Sequence, residues 1–513
     1  MANTVAGLFL DTAKDAAGHP FLIVPARVDR DWHPAGVAYS YGETLAEVER
    51  LRDLYAAAGY GHGHRVSILL ENRPEFFFHY LALNTLGVCI VPVNPDYRHD
   101  EIAYVLDHSD AELAVVLPHR VEDVRKAAAE RVKPLPIVNA HAMPAELPAP
   151  SEPAPGKGAP NLDSECTLLY TSGTTGRPKG CRLSNLYTLN AGKTYCDHGG
   201  LMEIRRGRER FYNPLPLFHI NHLNIMSTAA MQTANTLVLP ERFSPTRWWH
   251  EVSTHDVTVI HYLGIVAPML LNQPPGPADR NHKVRIGIGA GIEPQLHRVF
   301  EERFGFPMIE VWGMTETGRI TADCHAPRMI GTRAFGRPFP GLEARVVDDD
   351  DKDVTVGTPG EFLVRHSEDK PRYGFFSGYL KNDKATEDAW RGGWFHTGDV
   401  VKQDASGMIF FVDRKKHIIR RSGENIAAAE IEAVLACIVT MPGIKGDPAL
   451  ADALFEQCNA RLAYFKAPGW VLFLDKLPTT GTQKVQKTQI FAPGEDPRQR
   501  TGIIDLRSKK RRR

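Results

Sequence analysis

One stretch of the chain reads Thr167-Leu-Leu-Tyr-Thr-Ser-Gly-Thr-Thr-Gly-Arg-Pro-Lys-Gly180. Its first four residues are apolar or β-branched and predict a short buried strand. The glycines permit positive φ angles, so loop amides can converge on one anion, while hydroxyls and a lysine add donors and positive charge. The stretch therefore predicts a polyphosphate-binding loop, although not a Walker loop, because the G-x-x-x-x-G-K-[ST] order is absent and a proline precedes the lysine. The expected phosphate-contacting residues are Thr171, Ser172, Gly173, Thr174, Thr175, Gly176 and Lys179.

The composition is that of an ordinary globular protein. The 513 residues have room for about three domains or one large multi-lobed domain, and 43% are hydrophobic and 24% charged. Lysine plus arginine equals aspartate plus glutamate at 61 each, so no overall field attracts nucleic acid or a membrane surface. Seven cysteines without a C-x-x-C pair argue against a disulfide framework or a zinc ribbon. With no long apolar run and no N-terminal leader pattern, we expect a cytoplasmic protein without an integral membrane segment.

The region before the loop alternates strand patterns with helical patterns. Residues 65–70, 88–93 and 111–117 are apolar runs that predict strands. Residues 74–87 predict a helix, with proline at its start and glycine at its end. Strand–helix–strand alternation of this kind predicts parallel sheets covered by helices.

The alternation continues after the loop. Residues 142–160 are rich in proline, alanine and glycine and predict a surface linker. Strands are predicted at 236–240, 257–260 and 284–288, and frequent glycines and prolines predict a β-rich subdomain over 331–413. The last hundred residues predict a small α+β unit. Their basic end, Lys509-Lys-Arg-Arg-Arg513, is interpreted as a solvated tail, with a nucleic-acid or localisation role as the alternative.

The loop closely resembles the phosphate loop of the adenylate-forming superfamily of acyl-CoA synthetases, peptide-synthetase adenylation domains and firefly-type luciferases. The other motifs of that superfamily follow in the expected order, and the resemblance covers nearly the whole chain. It implies an α/β fold, with a large N-terminal domain (1–413) of helix-covered sheets plus the β-rich subdomain. A small mobile α+β domain (414–513) follows, with a hinge near Lys416.

The resemblance also implies residues that bind ATP and Mg²⁺. In Glu310-Val-Trp-Gly-Met-Thr-Glu-Thr-Gly318, Trp312 would stack on adenine, Thr315 would touch the α-phosphate and Glu316 would hold Mg²⁺. Tyrosine is the commoner residue at the position of Trp312. Asp399 and Arg414 match the ribose-binding aspartate and arginine.

Four further residues are assigned by the same resemblance. Gly289 lies in a Gly-Ala-Gly turn expected to line the adenine and acyl pockets, although the sequence of this turn departs from the one usual in the superfamily. His219 matches a histidine at the gate of the acyl pocket; its spacing from His222 would also suit a metal pair, but no third ligand is near in sequence. Gly423 would approach the pantetheine of coenzyme A. Lys484 matches the lysine that contacts the carboxylate and α-phosphate during adenylation, with Lys487 as the alternative.

One departure concerns the small domain. After Glu430–Leu435 the chain passes almost at once to Cys437–Pro442, where relatives have an additional strand and connector. The missing piece is about two strands in size, and losing a strand exposes unpaired edge groups on its neighbour. The domain is therefore expected to be rebuilt or less stable, which puts the delivery of Lys484 to the site in doubt.

These motifs together predict an ATP-dependent carboxylic acid:CoA ligase that acts through an acyl-adenylate. Three alternatives stay open: an enzyme that loads a carrier protein, a luciferase-like oxidation of the adenylate, and a nucleotide- or acyl-binding homologue whose ligase activity is impaired by the shortened domain. Small, fatty, aryl and carnitine-like acids are all compatible with the sequence, with a preference for an aliphatic acyl substrate and a place in fatty acid metabolism. The oligomeric state, including a homodimer, is left open.

Overall fold

The structure is a computed structural model that describes residues 2–171, 178–414, 418–421, 424–427, 435–440, 444–462, 467–475, 490–491 and 500–510. For residues 413–414, 418–421 and 424–427 the description covers the backbone only. Within these ranges, none of the helices is long and apolar enough to cross a bilayer.

The helices alternate with strands along most of the chain, as the sequence predicts. The helices are α1 (Val5–Asp15), α2 (Tyr41–Ala57), α3 (Pro74–Thr85), α4 (His99–His108), α5 (Val121–Ala128), α6 (Asn185–Asp197), α7 (Ser227–Gln232), α8 (Trp248–Thr254), α9 (Val266–Leu271), α10 (Pro294–Phe304), α11 (Asp383–Ala389) and α12 (Pro448–Arg461). A π-helical segment, Asn221–Met226, runs directly into α7. Helix α2 begins with a capping box, in which the Ser40 hydroxyl accepts from the Glu43 amide and the Glu43 carboxylate accepts from the Ser40 amide.

The strands belong to several separate sheets. They are β1 (Pro20–Val24), β2 (Val37–Ser40), β3 (Arg65–Leu69), β4 (Cys89–Pro92), β5 (Leu113–Val116), β6 (Ile137–Asn139), β7 (Glu165–Thr171), β8 (Lys179–Ser184), β9 (Arg210–Tyr212), β10 (Thr236–Val238), β11 (Val259–Leu263), β12 (Ile286–Ala290), β13 (Met308–Gly313), β14 (Ile320–Ala322), β15 (Glu343–Val347), β16 (Gly360–Arg365), β17 (Gly378–Tyr379), β18 (Phe395–Gln403), β19 (Ile409–Arg414), β20 (Ile418–Arg421), β21 (Glu424–Ala427), β22 (Leu435–Ile438), β23 (Trp470–Phe473) and β24 (Ile504–Asp505).

The first sheet carries the predicted phosphate loop. In the described chain its order is β17-β8-β7-β4-β3-β5-β6. Strands β7, β4, β3, β5 and β6 run parallel to their neighbours, whereas β8 and β17 add antiparallel strands at one edge. The predicted parallel, helix-covered sheet is thus confirmed for its central strands. The chain leaves β7 and returns antiparallel as β8, so the loop between them lies at the end of these two strands.

The second sheet is assembled from distant parts of the chain. Its order is β14-β13-β12-β11-β9-β10-β1-β2 across the described residues. Strand β1 pairs parallel with β10, more than two hundred residues later, and β2 closes the edge as an antiparallel strand. Helix α3 contributes much of the apolar core, because ten of its residues, Pro74 and Phe76 to Asn84, are buried. The sequence pattern predicts the strands β10, β11 and β12 but not their partnership with the N-terminal strands.

The β-rich subdomain is confirmed, with one correction. Strands β15, β16, β18 and β19 form an antiparallel sheet in that order. Strand β17 lies within the same stretch of sequence but pairs with β8 of the first sheet instead. A short helix, α11, follows β17, so the region from 331 to 413 is not built of strands alone. The reason is that the backbone of Gly378–Tyr379 pairs with the outer edge of β8, at Arg182 and Cys181.

The C-terminal region contains a hairpin and a small mixed sheet. Strands β20 and β21 pair antiparallel. Strand β22 pairs parallel with β23, and β24 pairs antiparallel with the other side of β23. Helix α12 packs on this sheet through Ala451 and Phe455. The α+β prediction for this region is confirmed, and β24, from the far end of the chain, adds a strand that the sequence did not predict. Among the described residues β22 remains the edge strand next to the shortened segment.

Candidate functional site

The two ends of the predicted phosphate loop are held together by strand pairing. Thr171 at the end of β7 lies opposite Lys179 at the start of β8 in the antiparallel register. The Thr171 hydroxyl also lies 3.8 Å from the sulfur of buried Cys181. This pairing fixes the two flanks of the loop on one edge of the first sheet. The predicted loop residues Ser172, Gly173, Thr174, Thr175 and Gly176 lie outside the described residues.

Lys179 lies against an aromatic ring from another part of the chain. Its ammonium nitrogen is 4.5 Å from the centroid of the Tyr379 ring. Such a contact is attractive because the ring quadrupole draws a cation to the face of the ring. Tyr379 reaches this place because β17 pairs with β8 at Cys181 and Arg182. The lysine that the sequence assigns to phosphate is therefore anchored beside the loop.

The carboxylate of Glu316 is buried next to the same tyrosine. Its residue is 7% exposed, and its Oε1 accepts a hydrogen bond of 2.8 Å from the Tyr379 hydroxyl. Burial and the neighbouring Glu316 carboxylate raise the pKa of the Cys181 thiol. Lys179 and Glu316, 137 residues apart in sequence, thus meet at one aromatic side chain. The sequence analysis missed Tyr379, although its Gly-Tyr pair in a glycine- and phenylalanine-rich stretch marks a buried turn.

The turn that carries Thr315 and Glu316 is held from two sides. The hydroxyl of buried Tyr187, on α6, donates to the Thr315 carbonyl at 2.7 Å. The Phe376 amide donates to the Glu316 carbonyl at 3.0 Å. Gly318 follows with a φ of 60°, and a side chain at this position would collide with the Tyr187 ring at 2.5 Å. The turn is therefore fixed by the backbone as well as by the Glu316 side chain.

Trp312 and Asp399 are joined directly. The indole nitrogen of Trp312 donates to the Asp399 carboxylate at 2.8 Å. Both residues are buried, with exposures of 6% and 2%. The indole also packs against Phe335 and Phe362, with ring centroids 6.0 and 4.8 Å away. The two motifs that the sequence assigns separately to the adenine and the ribose of a nucleoside are therefore in contact. A tyrosine in place of Trp312 would lack this N–H donor.

Arg414 is placed beside Asp399 by the register of the β-rich sheet. The two residues are direct partners in the antiparallel pair of β18 and β19. The Asp399 amide donates to the Thr397 hydroxyl at 3.1 Å, and that hydroxyl in turn donates to the Phe362 carbonyl at 2.6 Å. The backbone of Asp399 is thus fixed from its own strand and from β16. The structure brings together the backbones of the two predicted ribose-binding residues.

The turn at Gly289 is supported by a buried glutamate. Glu310 accepts from the amides of Gly291 at 2.9 Å and Ile292 at 3.2 Å, and from the Tyr262 hydroxyl at 2.5 Å. Burial raises the pKa of Glu310 in spite of these three donors. A Cβ atom at Gly289 would lie 2.2 Å from the Tyr262 carbonyl oxygen, so the backbones approach too closely for a side chain. The sequence analysis missed the supporting role of Glu310.

The two histidines of the predicted acyl gate differ in environment. His219 is partly exposed, and its ring centroid lies 4.6 Å from that of Phe218. His222 lies in the π-helical segment, is fully buried, and has its Nδ1 at 2.6 Å from the Leu215 carbonyl. Burial lowers the pKa of His222 to about 4, so its ring is neutral at neutral pH. Within the described ranges no group of three or more His, Cys, Asp or Glu side chains could hold a metal ion.

The structure therefore brings the predicted residues into two adjoining groups. Lys179 and Glu316 contact Tyr379, and Thr171 pairs with Lys179. Trp312 lies four residues before Glu316 on the same segment and is bonded to Asp399. The predictions for Lys416, Gly423 and Lys484 fall on residues outside the described ranges.

Comparisons with known proteins agree on one family. The family described as "AMP-binding enzyme" matches residues 11–380. A sulfoacetate–CoA ligase of Cupriavidus necator is 30% identical, and the alignment covers 95% of this chain and 97% of that protein. A crotonobetaine/carnitine–CoA ligase of Proteus mirabilis is 28% identical over 88% of this chain and 93% of the relative. The solved structure of an o-succinylbenzoate CoA synthetase from Bacillus subtilis has the same fold, with a TM-score of 0.78 at 23% identity, covering 94% of this chain and 97% of that one.

Proposed function

The chain belongs to the AMP-binding enzyme family and is an AMP-forming acid–thiol ligase, and we propose that the residues gathered around Tyr379 and Trp312 form its ATP site. The reaction joins a carboxylic acid to coenzyme A and converts ATP to AMP and diphosphate. Among the observations that support this site, the strongest is the convergence of Lys179 and Glu316 on one side chain. A cation and a carboxylate meeting at a glycine- and threonine-rich loop suit a triphosphate with its metal ion.

The phosphate part of the site consists of the loop and the residues that follow β13. Lys179, Thr171 and the loop amides stabilise the charge that builds on the phosphates while the acid attacks. Thr315 lies one residue before Glu316 and is the candidate contact for the α-phosphate. In this step a carboxylate oxygen forms a bond to the α-phosphorus, and the bond from that phosphorus to the bridging oxygen breaks, so that diphosphate leaves.

The donor set fits a magnesium ion. Mg²⁺ binds through one or two carboxylates plus phosphate oxygens and waters, and Glu316 offers one buried carboxylate with a fixed orientation. When bound, the ion neutralises phosphate charge and orients the triphosphate. The chain contributes the position of the carboxylate: the Tyr379 hydroxyl donates to one carboxylate oxygen of Glu316, and the Phe376 amide donates to the Glu316 main-chain carbonyl and holds the backbone.

The nucleoside part of the site consists of Trp312, Asp399, Arg414 and the turn at Gly289. A carboxylate such as that of Asp399 is a natural acceptor for two vicinal ribose hydroxyls. The indole donates to one carboxylate oxygen and thereby limits the rotation of the group. A flat base would lie between the Trp312 side and the Gly289–Gly291 turn, whose backbone Glu310 holds in place.

The second half-reaction transfers the acyl group to the thiol. The sulfur of coenzyme A bonds to the acyl carbonyl carbon, the thiol proton leaves, and the carbon–oxygen bond to AMP breaks. We assign Lys484 to the adenylation step, Lys416 to the hinge of the small domain and Gly423 to the approach of pantetheine, following the motif positions in the sequence. His219 is assigned to the gate of the acyl pocket.

For the acid, we infer a short carboxylic acid with a second polar or charged group. The two curated relatives are named for sulfoacetate and for crotonobetaine or carnitine, which are acids of this kind. Polar side chains near His219 support the inference: the half-buried Asn221 accepts from Asn213 at 2.9 Å and contacts His261 at 3.0 Å. This differs from the aliphatic substrate that the sequence alone favours.

The test is a diphosphate-release assay with ATP and Mg²⁺, run with and without coenzyme A. The panel contains sulfoacetate, crotonobetaine, carnitine, acetate, octanoate and benzoate. We expect release with at least one short polar acid, a further increase on adding coenzyme A, and loss of more than a hundredfold in Lys484→Ala but not in Lys487→Ala. Release with octanoate alone would contradict the substrate class. ATP binding with no acid-dependent release would favour the binding-protein alternative.

A further inference from the structure

We propose that Tyr379 is a positioning residue that holds the metal-binding carboxylate of Glu316 and the phosphate-binding ammonium of Lys179 at a fixed separation. The inference rests on the function proposed above and concerns a residue that neither the motifs nor the relatives assign. The two contacts use different parts of one side chain. The hydroxyl donates to Glu316 Oε1 at 2.8 Å, and the face of the ring lies 4.5 Å from the Lys179 nitrogen.

Tyr379 is itself fixed from several directions. The flanking amides of Ser377 and Leu380 donate at 2.8 Å to carbonyls of β8. The Tyr379 amide donates at 2.9 Å to the hydroxyl of Thr386 on α11. Its ring packs at 4.8 Å against Phe376, and the residue is 7% exposed. A side chain held this firmly can transmit a fixed geometry to the groups it touches.

The tyrosine hydroxyl suits this role chemically. A phenol hydroxyl is a hydrogen-bond donor and a carboxylate oxygen is an acceptor, so Tyr379 donates in the 2.8 Å contact with Glu316. One oxygen of Glu316 is thereby occupied, and the carboxylate plane is set relative to the loop. The face of the ring meanwhile holds the ammonium of Lys179, whose backbone pairs with that of Thr171. A single residue thus couples the two charged groups that flank the triphosphate.

Two substitutions separate the two contacts. Tyr379→Phe removes the hydroxyl but keeps the ring under Lys179, whereas Tyr379→Leu removes both. The matched control is Tyr212→Phe, which also removes a buried tyrosine hydroxyl bonded to a glutamate, since Tyr212 donates to Glu251 at 2.7 Å in the second sheet. The control reports what the loss of such a bond does to the fold alone.

The measurement is the affinity for ATP by isothermal titration calorimetry, with EDTA and then over a series of Mg²⁺ concentrations. For Tyr379→Phe we expect the ATP affinity in EDTA to stay within about twofold of the wild type. The Mg²⁺ concentration that gives half of the metal-dependent increase in ATP affinity should rise about tenfold. For Tyr379→Leu we expect an additional loss of about fivefold in EDTA. Tyr212→Phe is expected to match the wild type in both conditions.

The outcomes distinguish this inference from the proposed function. A wild-type protein whose ATP affinity does not respond to Mg²⁺ would overturn the metal assignment of Glu316, and the Tyr379 inference with it. A wild-type response that Tyr379→Phe retains in full would overturn the Tyr379 inference while leaving the site in place. An equal loss in Tyr379→Phe with and without Mg²⁺ would show that the residue acts on the fold only.

Discussion

Replacement of Trp312 by phenylalanine is expected to weaken nucleotide binding through Asp399. The change keeps an aromatic ring between Phe335 and Phe362 but removes the only N–H of the indole, which donates to the Asp399 carboxylate at 2.8 Å. A hydrogen bond to a charged group contributes about 1.5–3 kcal/mol, and because both residues are buried we take about 2 kcal/mol for this one. The carboxylate then loses its fixed orientation as well as a donor.

The affinity for AMP, measured by calorimetry, is expected to fall about tenfold in Trp312→Phe, which corresponds to about 1.4 kcal/mol. Trp249→Phe is the matched control. Trp249 is also a buried tryptophan, 7% exposed, and its indole nitrogen has no hydrogen-bond partner in the part of the chain that the structure describes. The control should therefore lose packing but keep the AMP affinity of the wild type.

An AMP affinity of Trp312→Phe within about twofold of the wild type would refute the reasoning, because the bond would then not orient a nucleotide-binding carboxylate. The melting temperatures of Trp312→Phe and Trp249→Phe are measured beside that of the wild type. Both should fall by a few degrees, with the larger decrease in Trp312→Phe, since only this variant leaves a buried carboxylate short of a donor.

Three further predictions concern the surroundings of the site and the fold. Glu310→Gln places an amide NH₂ where the backbone amide of Gly291 needs an acceptor, so we expect the affinity for AMP to fall about fivefold in calorimetry; an unchanged value would contradict the support of this turn. Burial lowers the pKa of His79 from 6.5 to about 4, so between these values the unfolded chain binds more protons, and stability should fall as the pH is lowered. In His79→Gln the free energy of unfolding, measured by denaturant unfolding, should accordingly depend less steeply on pH between 6.5 and 4, by up to about 1.4 kcal/mol per pH unit, and equal slopes in variant and wild type would argue against a buried neutral ring. Arg461→Ala removes an exposed ion pair with Asp100 at 2.9 Å, and we expect a shift in melting temperature of no more than about 2 °C, because solvent screens such exposed pairs and they add little stability.

The local elements of the fold follow from sequence patterns, whereas their partners do not. The apolar runs around β3, β4 and β5 and the proline-initiated helix α3 are visible in the sequence because burial and helix ends leave periodic and compositional signals. Nothing in the residues of β1 marks β10 as its neighbour, since that pairing depends on packing across more than two hundred residues.

The candidate site shows the same division. Lys179, Glu316, Trp312 and Asp399 stand in recognisable motifs, and these motifs predict their chemistry. The Trp312–Asp399 bond spans 87 residues and depends on how the β-rich sheet docks against β13. The sequence does not predict the position of Tyr379 for a related reason. This residue lies on a two-residue strand that pairs with the first sheet rather than with its own subdomain.

The pairing of β24 with β23 has a consequence for the order in which the protein matures during synthesis. Strand β24 lies about thirty residues beyond β23, near the end of the sequence. Domains generally fold from the N-terminal side as the chain emerges, at about 5–20 residues per second. The large domain can therefore fold while the last residues are still being added, whereas the small sheet cannot close until Ile504 and Asp505 have been made. A ribosome that stalls before that point would hold the two large sheets already formed beside a small sheet that still lacks β24.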